Sequence, residues 1–218
     1  MDPILVHGVL MIIAWLVLLP AGVLVARFFK VTKNQDWPNE LDNQFWWNSH
    51  RVLNYGGMAA ATLGFFVIWQ TLGKLQLTGW HGWLGLAALI LGWLQVISAC
   101  FRGTKGGPTE VGADPADCKT WRGDHFDMTP RRRRFEAWHK QVGYLALASA
   151  FAASWLGLRG VGAPLWLELL PWLAASVFAV LFWLFTRQGR RIDTYEAIWG
   201  PDLAPPSPPD HQKKGEVS

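Results

Sequence analysis

Residues 81–92 read HGWLGLAALILG, and they lie within a run without charged residues that ends at position 101. If the run is helical, the fourth, seventh and eleventh residues after His81 share its face of the helix. Those residues are Gly85, Ala88 and Gly92. A histidine thus heads a stripe with almost no side chains, where a flat, bulky group has room and the imidazole is its ligand. Stripes of small residues also serve ordinary helix packing, so both interpretations stay open at this point.

Five segments of the 218-residue chain are free of Asp, Glu, Lys and Arg over lengths that suit membrane-spanning helices, for which about 20 apolar residues are needed. The segments are 3–26, 52–73, 75–101, 141–158 and 169–186. With flanking interfacial residues they predict helices at about 3–27, 44–72, 81–101, 130–157 and 165–187. The expected fold class is therefore an all-α integral membrane protein. The composition, which is 51% hydrophobic with 15 Trp, agrees with it.

The basic residues predict the orientation in the membrane. Of the 20 Lys and Arg, only Lys74 and Arg159 fall on the side of the loops that follow the second and fourth helices. The positive-inside rule puts the other side, with the C-terminus, in the cytoplasm and the N-terminus outside. We expect the first helix to be retained, because no basic segment precedes it and no small-residue cleavage site follows it. The excess of positive charge is explained by this topology, so no nucleic-acid partner is expected and membrane lipid is.

Four of the six histidines lie near the entry end of the first four predicted helices. They are His7, His50, His81 and His139. Since successive helices enter from opposite sides, His7 and His81 are expected at the external level and His50 and His139 at the cytoplasmic level. Two histidines at each of two depths in a four-helix bundle match the ligands of two six-coordinate haems. The fifth predicted helix has no histidine and stands beside the bundle.

The other three histidines also head rows of residues on one helix face. The rows are Gly143, Ala146 and Ala150 after His139; Asn54, Gly57 and Ala61 after His50; and Met11, Ala14 and Leu18 after His7. Zinc is disfavoured because it requires ligands that converge at one level with Cys or carboxylate partners. The expected cofactors are two haem b groups, with irons ~20 Å apart across a hydrocarbon core of ~30 Å.

Two arginines are candidate contacts for haem propionates. Arg132 lies on the helix face of His139, and Arg51 directly follows His50. Anchoring at the cytoplasmic surface explains both arginines at least as well. His125, in the long loop 102–128, and His211, in the tail, are not expected to be ligands. The Pro-rich tail 201–218 is expected to be disordered in the cytoplasm.

Four stretches together resemble the cytochrome b561 superfamily. They are HGVLMIIAWLVLLPAGVLVAR at 7–27, WWNSHRVLNYGG at 46–57, HGWLGLAALILGWLQ at 81–95 and WHKQVGY at 138–144. They look most similar to the branch of DOMON-linked cytochromes and the ferric reductase-like transmembrane domain. The resemblance covers roughly residues 5–155, and the domain itself is expected over 1–200. It implies a dihaem protein that passes electrons across a membrane, with His7, His50, His81 and His139 as axial ligands.

Some features depart from that family. It usually has six helices where five are predicted here, and its ascorbate-site motifs are not clearly present. The compact form looks bacterial, which implies the inner membrane of a bacterium.

The predicted function is electron transfer between a cytoplasmic-side donor and an external-side acceptor, each a small molecule or a protein. Ligation by two histidines leaves no open position on the iron, which disfavours oxygen chemistry there. One alternative is a quinol-linked cytochrome b subunit of a larger redox complex. Another is a haem-free membrane scaffold or transporter. The sequence leaves the identity of the reactants, the direction of electron flow and the oligomeric state open.

Overall fold

The computed structural model describes residues 2–31, 33, 35, 44–75, 77, 79–102, 130–192, 194 and 197. Within these residues every regular element is a helix, and five helices are long and apolar enough to cross a membrane. In chain order they are α1 (Pro3–Phe28), α2 (Gln44–Leu72), α3 (Trp80–Cys100), α4 (Pro130–Gly160) and α5 (Leu165–Arg187). The predicted bounds differ from these by three residues at most. The all-α fold with five spans is therefore confirmed.

Local sequence explains how several helices begin. Asp2 caps α1, since its Oδ1 accepts a hydrogen bond from the Ile4 nitrogen at 2.9 Å, and Pro3 takes the first helical position. A proline suits that position because its missing N–H has no helical partner there. Helix α4 likewise begins at a proline, Pro130. In α5 the first turn, Leu165–Glu168, is separated at Leu169 from the longer part, Leu170–Arg187, which carries Pro171 near its start.

The first helix contains an irregular segment. Ile12–Leu18 is π-helical, between α-helical Pro3–Met11 and Leu19–Phe28. Pro20 lies two residues after this segment, and its ring nitrogen cannot donate to the carbonyl of Leu16 one turn earlier. The disturbance that this proline causes is thus a wider turn of helix. Such a turn contains one residue more than the α-helix that would follow the same path.

The helices are arranged as two hairpins. α1 packs along α2 and α3 packs along α4, while α5 lies against α4 and α1. The centre of the bundle contains alanines from all four helices, packed with the larger side chains of Trp15, Leu19, Met58 and Leu147. These alanines are Ala14, Ala61, Ala88, Ala146 and Ala150. The interior midway through the bundle is therefore filled by protein atoms.

The glycine stripe that begins at His81 has two different surroundings. A Cβ atom on Gly92 would lie 2.6 Å from Sδ of Met58 and 3.3 Å from the Trp15 ring. This end of the stripe serves close helix packing. A Cβ atom on Gly85, one turn from His81, would meet no described atom within 4 Å. The open space along this stripe is therefore at Gly85, at the end near His81.

Candidate functional site

The four histidines of the bundle lie in two facing pairs. The ring centres of His7 and His81 are 6.2 Å apart, and those of His50 and His139 are 6.4 Å apart. These are the pairs expected from helix direction. We refer to them as the His7 level and the His50 level.

The distance between paired rings suits a metal ion bound between them. With metal–nitrogen bonds of roughly 2 Å, and each ring centre roughly 1 Å beyond its nitrogen, two imidazoles on opposite sides of one ion have centres roughly 6 Å apart. Both observed separations match this value. The residues present therefore fit a haem iron with two histidine ligands at each level.

Three of the histidines are held by backbone carbonyls of the neighbouring helix. The Nδ1 atoms donate from His7 to Gly64 at 2.9 Å, from His50 to Gly22 at 2.9 Å and from His81 to Ala153 at 2.8 Å. A carbonyl oxygen only accepts, so Nδ1 carries the ring proton and Nε2 keeps its lone pair. Histidines that bind metals almost always donate their other ring N–H in this way. Each of these rings is thus prepared to bind a metal through Nε2.

The fourth histidine, His139, faces a side chain instead. One end of the Gln95 amide lies 2.7 Å from Nδ1 of His139. Each histidine is therefore contacted at Nδ1 by the other helix of its own hairpin. The ring of each histidine faces the ring of a histidine from the other hairpin.

These contacts follow a regular spacing along the helices. The spacing is 14 residues from His50 to Gly64, from His81 to Gln95 and from His139 to Ala153, and 15 residues from His7 to Gly22. The additional residue in α1 is the one that its π-helical segment accommodates. With a rise of 1.5 Å per residue, 14 residues put the two levels roughly 21 Å apart along the bundle.

The His50 level opens into a cleft of about 220 Å³ with a positively charged wall. Its described lining includes six basic residues, namely Arg27, Lys30, Arg51, Arg102, Arg132 and Lys140. Glu136 is the one carboxylate of that lining, 3.2 Å from Nε of Arg132 and 3.2 Å from Nζ of Lys140. The surplus of positive charge favours an anionic group in the cleft, for which haem propionates qualify.

Both arginines singled out in the sequence line this cleft. Arg132 is 3% exposed and its guanidinium lies 5.7 Å from the ring centre of Phe135. Arg51 is exposed, 5.8 Å from the ring centre of Trp47 and 5.9 Å from that of Tyr55. Their assignment as propionate contacts stays a prediction.

Several residues of the cleft were not anticipated. Arg102 is 6% exposed and lies 4.0 Å from the ring centre of Trp47. Lys30 donates to the carbonyl of Ile192 at 3.2 Å and to Oγ1 of Thr194 at 2.8 Å, so the chain after α5 turns back toward the cleft. Neither residue stands out among the basic residues that topology explains. The loop histidine His125, the tail histidine His211 and the tail 201–218 lie outside the described residues.

Comparison of this sequence with those of known proteins points to one family. Residues 6–103 match the family model described as eukaryotic cytochrome b561. The chain is 29% identical over 182 residues to ferric-chelate reductase 1 of Bos taurus, which covers 82% of this chain and 26% of the relative. These matches support the cytochrome b561 superfamily.

Two further relatives agree with it. The human ferric-chelate reductase 1 is 30% identical over 154 residues, 70% of this chain and 22% of the relative. A cytochrome b561, DM13 and DOMON domain-containing protein of Arabidopsis thaliana is 26% identical over 194 residues, 85% of this chain and 19% of the relative.

The cytochrome b561 match spans α1 to α3 and includes three of the four histidines. Together with the five apolar helices, it supports an integral membrane cytochrome of the haem b type that transfers electrons. The chain spans about a quarter or less of the length of these relatives. The relatives come from animals and a plant, so they do not support the predicted bacterial origin. No solved structure matches the chain significantly.

Proposed function

We propose that this chain is a dihaem b-type cytochrome that carries electrons across a membrane between reactants on its two sides. The observation that supports this best is the arrangement of His7, His50, His81 and His139 in two facing pairs at two depths. The Nδ1 bonds of three of these rings favour it further, because they leave Nε2 available for a metal. Haem b, when bound, supplies an iron centre that accepts and releases one electron.

The protein residues have three separate tasks in this function. The paired histidines would hold the metal as its two protein ligands and would leave no position for a further one, which favours electron transfer over reaction at the iron. The carbonyls of Gly22, Gly64 and Ala153 fix the ring orientations and increase the basicity of the coordinating nitrogens. Trp15 and Met58 fill the centre of the bundle and exclude water between the two levels.

The charges of the cleft favour one class of reactant. Its six basic residues favour an anionic reactant at the His50 level and steer it by long-range attraction. Two of the relatives are named ferric-chelate reductases, so we propose a ferric chelate as the first acceptor to test.

The visible spectrum of the purified protein tests this function directly. We expect a Soret band, an α-band on reduction and two haem b groups per chain. Reduction by ascorbate, a quinol or a reduced flavin, followed by reoxidation with a ferric chelate, then identifies the reactants. A protein without a Soret band would be a haem-free scaffold or transporter, and the proposal would be wrong. Reduction by a quinol alone would favour the quinol-linked subunit.

We also propose that the N-terminus faces the outside and the C-terminus the cytoplasm, because 18 of the 20 Lys and Arg fall on one side. A reporter that is active only in the cytoplasm should be active when it is joined after Ser218. A reporter that is active only outside should be active when it is joined before Met1. The opposite result would reverse which level faces which compartment. Fractionation of the native source decides whether that membrane is a bacterial inner membrane.

A further inference from the structure

Gln95 differs from the other partners of the histidines because it contacts His139 through a side chain. A backbone carbonyl can only accept a hydrogen bond, so it fixes the proton on Nδ1. An amide can present either its oxygen or its nitrogen. Among the described residues, His139 is thus the one bundle histidine whose ring tautomer depends on a replaceable side chain.

The position of the amide allows two arrangements. The end that lies 2.7 Å from Nδ1 of His139 also lies 2.9 Å from the His139 carbonyl, and the other end is 3.2 Å from the Gly143 nitrogen. With its nitrogen toward His139, the amide donates to both atoms and the ring proton moves to Nε2, where it blocks a metal. With its oxygen toward His139, the amide accepts from Nδ1–H and Nε2 is free, but that oxygen then faces the His139 carbonyl and the amide nitrogen faces the Gly143 N–H. The first arrangement therefore suits the ring without a metal, and a metal bound at Nε2 requires the second, because the ring proton is then on Nδ1.

A comparison with His50 shows why Gln95 matters. The Asn54 amide also lies close to a histidine, with Nδ2 2.6 Å from the His50 carbonyl and 3.1 Å from Nδ1. His50, however, donates from Nδ1 to the Gly22 carbonyl, which fixes its tautomer independently of Asn54. For His139 this task falls to Gln95.

We propose that Gln95 is a positioning residue that turns its amide oxygen to Nδ1 of His139 when Nε2 binds a metal, and thereby tunes the redox potential at the His50 level. This inference rests on the proposed function. A stronger acceptor at Nδ1 makes Nε2 a stronger donor to the iron, which favours the ferric state. Loss of the acceptor has the opposite effect. The potential at the His7 level depends on other bonds and is not affected.

The test uses two substitutions with opposite expected effects. Gln95→Glu provides a carboxylate acceptor, and Gln95→Met removes the acceptor at nearly constant volume. We expect Gln95→Glu to raise the ferric-to-ferrous ratio of the His50-level haem about tenfold at a fixed potential, or about 59 mV for one electron. Gln95→Met should lower the same ratio. Redox titration of each haem and the EPR spectrum of the ferric protein are the readouts.

Two references accompany these variants. The His7-level haem of the same molecule should keep its potential. Ser98→Ala removes a hydroxyl that bonds to the Gln95 backbone carbonyl, at 3.0 Å, and should leave both haems as they are. If Gln95→Glu and Gln95→Met move the His50-level potential in the same direction, or leave it unmoved, Gln95 has only a packing role and the inference is wrong. A wild-type protein without haem would overturn the proposed function and this inference with it, whereas wild-type haems with unmoved potentials would overturn the inference alone.

Discussion

Replacement of His7 by alanine is expected to lower the haem content from two per chain to one, and replacement of His81 should remove the same haem. The two rings face each other at 6.2 Å between centres. In the proposed dihaem protein each variant therefore removes one of the two ligands of a single iron. His50→Ala and His139→Ala should both remove the other haem, because those rings form the second pair. The four variants should therefore give two spectra, one for each level.

The number of haems per chain and the components of the reduced α-band are the two measurements that check this result. His125→Ala and His211→Ala serve as controls and should keep both haems. Addition of imidazole to His7→Ala should restore the missing haem if the side chain acts as a ligand, since free imidazole fits the space that alanine leaves. The pairing would be refuted if His7→Ala and His50→Ala lost the same spectral component while His81→Ala kept it.

Gly157→Ala is expected to remove the His7-level haem although residue 157 carries no ligand. A Cβ atom at this position would lie 2.7 Å from Cε1 and 2.9 Å from Nδ1 of His81. The imidazole is the end of a side chain that can rotate away, so the helices should still assemble. In rotating, the ring loses its bond to the Ala153 carbonyl and its place opposite His7. Because lost outer contacts alone weaken metal binding by about 10–100-fold, a displaced ligand should weaken haem retention by at least that factor.

The same helix provides the matched control. A Cβ atom at Gly160, one turn later in α4, would meet no described atom within 4 Å, so Gly160→Ala should retain two haems. The measurement is haem per protein after gel filtration, together with the α-band of the remaining haem. Gly157→Ala should reproduce the spectrum of His81→Ala. Two fully retained haems in Gly157→Ala would contradict the close approach of α4 to His81.

The helices and the histidine pairs could be predicted from the sequence for simple physical reasons. Charged residues are too costly in the hydrocarbon core to interrupt a spanning helix, so gaps between charges mark the five spans. Helices that alternate in direction put the histidines at alternating depths, which leaves His7 opposite His81 and His50 opposite His139. Gln95 was not singled out in the sequence, although a strongly polar side chain inside an apolar span usually has a function and could have indicated it.

Other features have no pattern in the sequence. A carbonyl acceptor is present in every residue, so the choice of Gly22, Gly64 and Ala153 depends on how closely two helices approach. The π-helical segment of α1 consists only of apolar residues, and Pro20 indicates a disturbance without indicating its form. The stripe after His81 was predicted as one surface, whereas packing divides it between the open space at Gly85 and the contact of Gly92 with Met58.

Each histidine pair takes one member from each hairpin, and this has a consequence for biogenesis. Each hairpin orients its own two imidazoles, yet it contains only one histidine of each pair. If the two pairs bind haems as proposed, neither half can bind either cofactor fully. Chains are synthesised from the N-terminus, and membrane helices associate after insertion. The α1–α2 hairpin can therefore insert and arrange its histidines before α3 and α4 exist. Both binding sites then arise together when the second hairpin docks, and the free energy of cofactor binding is added to the association of the halves.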